Sequence, residues 1–388
     1  MKFNKWTLGL AAVGAVSLAS AVRADEAKLS ALNTALSNTT ISGYVDVAAQ
    51  YNAGNPGKTA AVNQPYFLNS GKVDSFSLNS VTISLDKPLD ESPWAAGYHI
   101  DLNAGTDAIT PLNSSSYTFR GTTYNPSISA FGVRQAYVAL RTPVGNGIDW
   151  KVGLIDGVTG YESNTGYQNP NYTRSYGYQV NPASFVGMIG SYKVCDMVSV
   201  QGGIANRGSS FSAAGQGSVG LSSKDFIAAV ALTAPDSWGF LKGSVLNLGT
   251  FQGLDNGAIN NYSVNATLNT PVAGLKVGFA YDTVESLVAG PAANLNGNIY
   301  GVYATYQATQ KLGFNLRGEY LDAKDVNTAF GTNLGLGEEI TATVQYDLWA
   351  NVVSRVELRW DHVEHGTAYN ANNTESAYLV ALNLVYKF

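Results

Sequence analysis

The carboxy-terminal stretch Tyr378-Leu-Val-Ala-Leu-Asn-Leu-Val-Tyr-Lys-Phe388 is the clearest indication of how this chain folds. Successive side chains of an extended strand point to opposite faces, so every second residue, from the tyrosine to the final phenylalanine, lies on one apolar face. Asn383 and Lys387 fall on the other face. A strand of about ten residues with one apolar face is long enough to cross a bilayer in a β-barrel. The stretch therefore predicts a closing strand that pairs with the first strand, residues 41–51.

Further segments of strand length fill the rest of the chain, and the joints between them are alternately long and short. Short turns on one side and long loops on the other are typical of membrane β-barrels, whereas a soluble β-sandwich has no reason to sort its loops in this way. The sequence predicts an all-β fold, an antiparallel up-and-down transmembrane barrel of about sixteen strands. The predicted strands are residues 41–51, 76–87, 94–104, 133–142, 148–158, 185–194, 198–207, 224–233, 238–249, 261–270, 275–285, 299–308, 312–323, 339–348, 352–364 and 375–388.

Charged and apolar residues alternate in the later strands. In residues 352–364, Val356 and Leu358 share one face, and the charges share the other. A charge on a lipid-facing surface costs about 2–4 kcal/mol at the bilayer midplane, so the charged face is predicted to line a polar, water-filled interior. The inward charges are Arg355, Glu357, Arg359 and Asp361 in this segment, and Arg317 and Glu319 in residues 312–323.

Two predicted strands conflict with this simple alternation. In residues 133–142, either Arg134 or Arg141 would face lipid, unless a β-bulge shifts the register or the residue lies at the level of the lipid headgroups. Residues 238–249 change phase near Val245. Alternation alone settles neither strand.

The amino-terminus is predicted to be a secretory signal. Lys2 and Lys5 precede a short apolar segment, residues 6–19, and small residues surround a cleavage site after Ala24. Residues 25–39 carry leucines at helical spacing and predict a short helical segment, either at the periplasmic mouth or inside the lumen. The barrel would then occupy residues 40–388.

Composition bears on what the chain could bind or catalyse. A formal net charge of −5 argues against nucleic acid as a partner. The single cysteine, Cys195, excludes a disulfide framework within one chain. The three histidines, His99, His362 and His365, form no convincing metal-ligating or catalytic pattern. The sequence therefore predicts neither enzymatic activity nor a cofactor.

The third long joint, residues 159–184, differs from the other loops. It is rich in Tyr, Asn and Gly, and Glu162 and Arg174 are its charged residues. Its tyrosines could form a stacking track for sugars, or they could pack the loop against the barrel wall with their hydroxyl groups in water. These tyrosines are Tyr161, Tyr167, Tyr172, Tyr176 and Tyr178.

Four sequence features resemble one family over nearly the whole chain beyond residue 24. They are Ile41-Ser-Gly-Tyr-Val-Asp46, Arg134-Gln-Ala-Tyr-Val138, Asn169-Pro-Asn-Tyr-Thr-Arg-Ser-Tyr176 and the terminal Phe388. Their order and spacing resemble the OmpL-like beta-barrel porin family and, more loosely, the sixteen-stranded general bacterial porins. The resemblance implies an outer-membrane protein that passes small hydrophilic solutes and ions by passive diffusion.

The resemblance also implies where the pore is narrowest. In general porins the third external loop folds into the lumen, where its carboxylates face arginines on the wall. By analogy, the wall facing this loop would be Arg317, Arg355 and Arg359, with Lys151 on an adjoining strand and Glu162 on the loop. The few acidic residues of this loop imply a weaker transverse field than in general porins. The implied constriction residues are Lys151, Glu162, Tyr167, Tyr172, Arg174, Arg317, Glu319, Arg355, Glu357 and Arg359.

The expected partners follow from the same resemblance. They are outer-membrane lipid and lipopolysaccharide, the barrel-assembly machinery, for which Phe388 would be the signal, and two further copies in a homotrimer. Two alternatives stay open. One is a carbohydrate-selective channel that uses the tyrosine-rich loop, and the other is a structural or adhesive barrel plugged by residues 25–39.

Overall fold

Sixteen antiparallel strands form a closed barrel in the computed structural model, as the alternating joints predict. The structure describes residues 38–53, 74–107, 117–119, 122–124, 131–206, 224–253, 259–286, 296–322, 334–366 and 375–388. The predicted signal segment and residues 25–37 of the predicted helical segment therefore lie outside the described residues. Within the described residues, no helix has the length and apolar character needed to cross a membrane. The strands are β1 (Thr40–Ala53), β2 (Phe76–Lys87), β3 (Ala96–Ala104), β4 (Tyr117–Phe119), β5 (Thr122–Tyr124), β6 (Phe131–Thr142), β7 (Ile148–Asp156), β8 (Ser184–Lys193), β9 (Val198–Asn206), β10 (Lys224–Thr233), β11 (Val245–Gly253), β12 (Ile259–Asn269), β13 (Leu275–Ser286), β14 (Asn296–Gln307), β15 (Leu312–Asp322), β16 (Leu334–Trp349), β17 (Val352–Gly366) and β18 (Ser376–Lys387).

The barrel closes by pairing its last strand with its first. β18 pairs antiparallel with β1, and β4 and β5 form a separate hairpin in one of the long loops. Beyond the end of β18, the backbone of Phe388 exchanges two hydrogen bonds with that of Gly43, at 2.9 and 3.0 Å. The prediction that the terminal strand pairs with the amino-terminal strand is confirmed.

Apolar side chains cover the outside of the barrel, and polar side chains line the inside. On β18, Leu382 is 56% exposed, whereas the preceding Ala381 is 1% exposed. Buried charged groups such as Arg317 and Glu357 point inward from β15 and β17. Because lipid rather than water meets the outer face, the hydrophobic pattern is opposite to that of a soluble barrel.

A β-bulge resolves the conflict between the two arginines of β6. Asp101 on β3 pairs with Gln135, but the next residue, Leu102, pairs with Val133, so Arg134 is an extra residue in the ladder. The bulge lets Arg134 reach Asp101 while Arg141, seven residues later, also lies on the lumenal face. The bulge was one of the two explanations that the sequence left open.

The prediction of a strand over residues 238–249 is wrong at its start. Residues Asp236–Leu241 form a 3-10 helix, and β11 begins at Val245. Gly239 and Gly243 have positive φ angles of 61° and 75°, a backbone conformation that ends an extended chain. The phase change near Val245 therefore marks the true beginning of the strand.

Candidate pore constriction

The segment between β7 and β8, residues 157–183, lies inside the barrel and is called the lumenal loop below. It contains a 3-10 turn, Gly166–Gln168, and the short helix α1, Tyr176–Val180. Near its start, the backbone N–H of Gly160 donates to the hydroxyl oxygen of Ser263 on β12 at 3.0 Å. Further along, the Tyr172 hydroxyl reaches Asn79 on β2. The loop therefore crosses the lumen and contacts widely separated strands.

Arg317 on β15 is the centre of the contacts between the lumenal loop and the wall. Its Nη1 donates to Glu162 Oε1 and to the carbonyl oxygen of Thr173, both at 2.7 Å. Its Nε donates to Glu339 Oε2 on β16 at 2.8 Å. The side chain is 0% exposed. Arg317 and Glu162 therefore meet, as the resemblance implies, but under the loop and away from solvent.

Two arginines of β17 hold the same loop by its carbonyl groups. Arg359 Nη1 donates to the carbonyl of Arg174 at 2.6 Å, and its Nη2 pairs with Asp361. Arg355 Nη2 donates to the carbonyls of Tyr167 and Asn169 at 2.6 and 2.9 Å. A guanidinium group carries five N–H donors in a fixed plane, so one arginine can fix several carbonyls of a curved segment.

Two carboxylates complement the arginines by binding N–H groups of the loop. Glu357 on β17 accepts hydrogen bonds from the backbone N–H groups of Tyr172 and Thr173 at 2.5 and 2.8 Å. Glu319 on β15 accepts from the N–H groups of Tyr176 and Gly177, at the beginning of α1. The Arg–Glu stripe of the wall therefore binds the backbone of the lumenal loop.

We expect Glu357→Gln to loosen the lumenal loop, because an amide supplies one acceptor oxygen where the carboxylate supplies two. A buried donor left unsatisfied costs about 1–3 kcal/mol. Trypsin should then cut the folded protein after Arg174 faster than it cuts the wild type. Glu364→Gln, at an exposed position of the same strand, is the control and should leave the cleavage rate unchanged. Equal rates for Glu357→Gln and wild type would contradict this role of Glu357.

Most tyrosines of the lumenal loop are packed against the wall rather than free to stack on a solute. Tyr161 stacks on Tyr303 of β14, with 3.9 Å between the ring centroids. Tyr172 and Tyr176 are buried, and the Tyr176 hydroxyl donates to Asp361 at 2.8 Å. A sugar track along all five tyrosines is therefore wrong, because three of the rings already pack against the protein.

Tyr167 and Tyr178, like Tyr161, are partly exposed tyrosines of the loop. Burial raises the pKa of both hydroxyl groups. For Tyr178, the nearby Arg174 lowers the pKa, and Asp156 at the end of β7 raises it further. These phenols are therefore neutral at physiological pH and contribute rings and hydrogen bonds rather than charge.

Lys151 does not lie on a strand adjoining the arginines. It is on β7, and the five strands β6, β3, β2, β1 and β18 separate β7 from β17. Its ammonium nitrogen lies 4.8 Å from the centroid of the Tyr137 ring on β6. The prediction that places Lys151 beside Arg355 and Arg359 is wrong, because barrel closure carries β7 to a different part of the wall.

Around Lys151 the wall carries a polar cluster that the sequence analysis missed. Tyr137 stacks on His99 of β3, which is hydrogen-bonded to Asp86 at 2.9 Å. Arg134 bridges Asp156, at 2.6 Å, to Asp101. The signal was present in the alternation of β3, whose odd-numbered residues face inward, but the bulge at Arg134 hid the matching pattern in β6.

Solved structures with a similar fold include bacterial outer-membrane proteins. The outer-membrane channel DcaP of Acinetobacter baumannii has a TM-score of 0.59 at 11% identity, over 90% of this chain and 97% of that one. An anion-selective porin from Comamonas acidovorans has a TM-score of 0.57 at 13% identity, over 90% and 99% of the two chains. OmpT of Vibrio cholerae in its trimer form has a TM-score of 0.55 at 12% identity, over 90% and 99%. At these identities, the likeness establishes the fold.

Sequence comparison identifies the family. No match was found among curated proteins. The family model described as "Putative beta-barrel porin-2, OmpL-like" matches residues 38–388, which include all strands of the barrel. The match confirms the resemblance to this family that the sequence indicates. The chain therefore belongs to the OmpL-like beta-barrel porin-2 family of outer-membrane proteins.

Proposed function

We propose that this outer-membrane porin passes small hydrophilic solutes and ions by passive diffusion, through the part of its lumen that the lumenal loop leaves open. The difference in exposure between two sides of the wall supports this proposal. The side chains of Arg134 and Asp156 beside β7 are 12% and 26% exposed, whereas those of Arg317 and Arg359 are 0% exposed. Water-exposed polar groups on the inner wall mark the route of a hydrophilic solute.

The proposed constriction has two faces. Tyr167, Arg174 and Tyr178 are partly exposed on the lumenal loop, and Lys151 and Tyr137 are partly exposed on the wall. Transport involves no bond-making step, because a pore selects solutes by its radius and by the charges that line it. The proposed channel therefore has no catalytic residue and no cofactor.

The remaining predicted constriction residues act on the pore by positioning the loop. Glu162, Tyr172, Arg317, Glu319, Arg355, Glu357 and Arg359 are all buried. Their hydrogen bonds hold the loop backbone at a fixed place in the lumen. The width of the proposed passage therefore depends on contacts that no solute touches.

Single-channel recording tests the proposal. The mature protein should be refolded, inserted into a planar bilayer and measured in potassium chloride, with maltose and longer maltodextrins added in turn. We expect steady, stepwise openings that these sugars do not block with high affinity. Block at low sugar concentration would favour the carbohydrate-selective alternative, and silence from folded, inserted protein would favour a plugged barrel.

Processing and assembly are further parts of this proposal. We propose cleavage after Ala24, assembly into the outer membrane through the terminal Phe388, contact with lipopolysaccharide, and a homotrimer. OmpT of Vibrio cholerae, an outer-membrane protein with a similar fold, has a trimer form, which supports the oligomer by analogy. Amino-terminal sequencing of the protein extracted from outer membranes would test the cleavage site. Its mass in mild detergent would test the trimer.

A further inference from the structure

Two cations in the proposed passage have no acidic partner. Among the described residues, neither Lys151 nor Arg174 forms an ion pair or a hydrogen bond to a carboxylate. Arg174 Nη2 donates to the carbonyl of Asn164 at 2.9 Å, and its Nη1 has no hydrogen-bond partner. The carboxylates whose charges act on them have other partners. Asp156 and Asp86, near Lys151, bind Arg134 and His99, and Glu162, near Arg174, binds Arg317.

Each of these cations lies over a tyrosine ring instead. Lys151 Nζ is 4.8 Å from the centroid of the Tyr137 ring, and Arg174 Cζ is 4.8 Å from the centroid of Tyr178. The negative face of an aromatic ring attracts a cation without carrying a net charge. A tyrosine therefore holds the cation in place and leaves its positive charge uncancelled, whereas a carboxylate would neutralise it.

The two cation–tyrosine pairs belong to opposite faces of the passage. Arg174 and Tyr178 lie on the lumenal loop, and Lys151 and Tyr137 lie on neighbouring wall strands. The loop face lies near this wall through Asn164, whose Oδ1 accepts a hydrogen bond from the Tyr178 hydroxyl at 2.8 Å. The Nδ2 of Asn164 donates to the carbonyl of Ala183, which also accepts from the N–H of Gly157, the residue after Asp156 at the end of β7. A narrow passage with low-dielectric walls strengthens the field of such charges.

The carboxylates that the lumenal loop covers are engaged in contacts under the loop. Glu162 and Glu339 pair with Arg317, and Asp361 pairs with Arg359. Glu319 and Glu357 bind N–H groups of the loop.

We propose that Lys151 and Arg174 make this pore selective for small anions, with inorganic anions and short carboxylates as the preferred solutes. An anion passing between the two faces would be stabilised by the positive charges of the ammonium and guanidinium groups. The tyrosine rings would hold both groups in place. This inference rests on the proposed channel function and adds the class of solute.

Reversal potentials across a bilayer test the proposal, first in a gradient of potassium chloride and then in one of potassium succinate. The wild type should pass chloride and succinate in preference to potassium. Lys151→Gln and Arg174→Gln should each lower the anion-to-cation permeability ratio by about two- to fivefold, since each removes one unit charge from the narrow passage. Lys151→Arg and Arg174→Lys should keep the wild-type ratio. Lys311→Gln, at an exposed short turn, is the matched control and should also leave it unchanged.

A second set of variants separates charge from folding. In a Cys195→Ser background, Lys151→Cys and Arg174→Cys can be folded first and then labelled with a cationic or an anionic thiol reagent. The cationic label should restore anion preference, and the anionic label should reverse it. Cation preference in the wild type, or a ratio insensitive to both sets of variants, would overturn the proposal while leaving the channel function intact. Absence of conductance in folded, inserted protein would overturn the proposed function and this inference with it.

Discussion

Replacing Arg317 with glutamine should release the lumenal loop and give a channel with higher and noisier conductance. Arg317 binds Glu162 of the loop and Glu339 of the wall, all three side chains being 0% exposed. Removing one partner of a buried ion pair costs about 3–5 kcal/mol, because the other charge stays buried without compensation. The barrel itself should persist, since its strands are held by backbone ladders that this substitution does not touch. Single-channel recording and trypsin cleavage after Arg174 would measure the effect.

The double variant Arg317→Gln with Glu162→Gln serves as the control for this mechanism. It removes both charges of one pair, so the loop should be released less than in the single variant. Lys311→Gln removes a positive charge from an exposed turn just before the same strand and should behave as wild type. If Arg317→Gln kept the wild-type conductance and trypsin resistance, Arg317 would not hold the loop.

Replacing Gly43 with valine should prevent closure of the barrel. A Cβ atom at this position would lie 2.2 Å from the carbonyl oxygen of Thr82 and 2.6 Å from the Phe388 ring. Thr82 lies on β2, and the Phe388 ring lies at the junction of the first and last strands, where Gly43 exchanges its backbone hydrogen bonds with Phe388. Overpacking a well-packed site typically costs about 1–3 kcal/mol, and a backbone carbonyl has little freedom to move aside. Most of the protein should therefore fail to reach the folded, heat-modifiable form seen on gels run without boiling.

Gly202→Val is the matched control for the barrel junction. Gly202 lies in β9, and a Cβ atom there would have no heavy atom within 4 Å. The two substitutions change composition identically, so they differ in the space that each site offers. Normal folding of Gly43→Val, or equal loss of folding in both variants, would contradict a specific role for Gly43 in closure.

The charge pattern of β17 shows how far the site could be predicted. Alternation alone placed Arg355, Glu357 and Arg359 on the inner face, and the structure confirms that face. Alternation gave no information on whether solvent or protein would meet these side chains. The tertiary structure covers them with the lumenal loop, which changes their proposed role from lining the passage to positioning the loop.

The wall around Lys151 shows a different gap in prediction. Its neighbour Tyr137 is in β6, where the bulge at Arg134 disturbs the alternation on which prediction depends. The stacking of Tyr137 on His99 of β3 is also a contact across strands, which no local pattern records. Sequence reasoning therefore found Lys151 as an inward charge but assigned it the wrong neighbours.

The number of strands, their lipid-facing sides and the closing role of residues 376–388 could be inferred from the sequence alone. A bilayer offers no hydrogen bonds to the backbone and excludes charge, so crossing strands must pair completely and alternate with period two. Those demands act on each segment separately and leave a mark in local sequence. The path of the lumenal loop depends on contacts such as that of Tyr172 with Glu357, which are 185 residues apart in the chain. Only the tertiary structure decides which lumenal charges that loop covers and which face the passage, because that outcome depends on where barrel closure places distant residues.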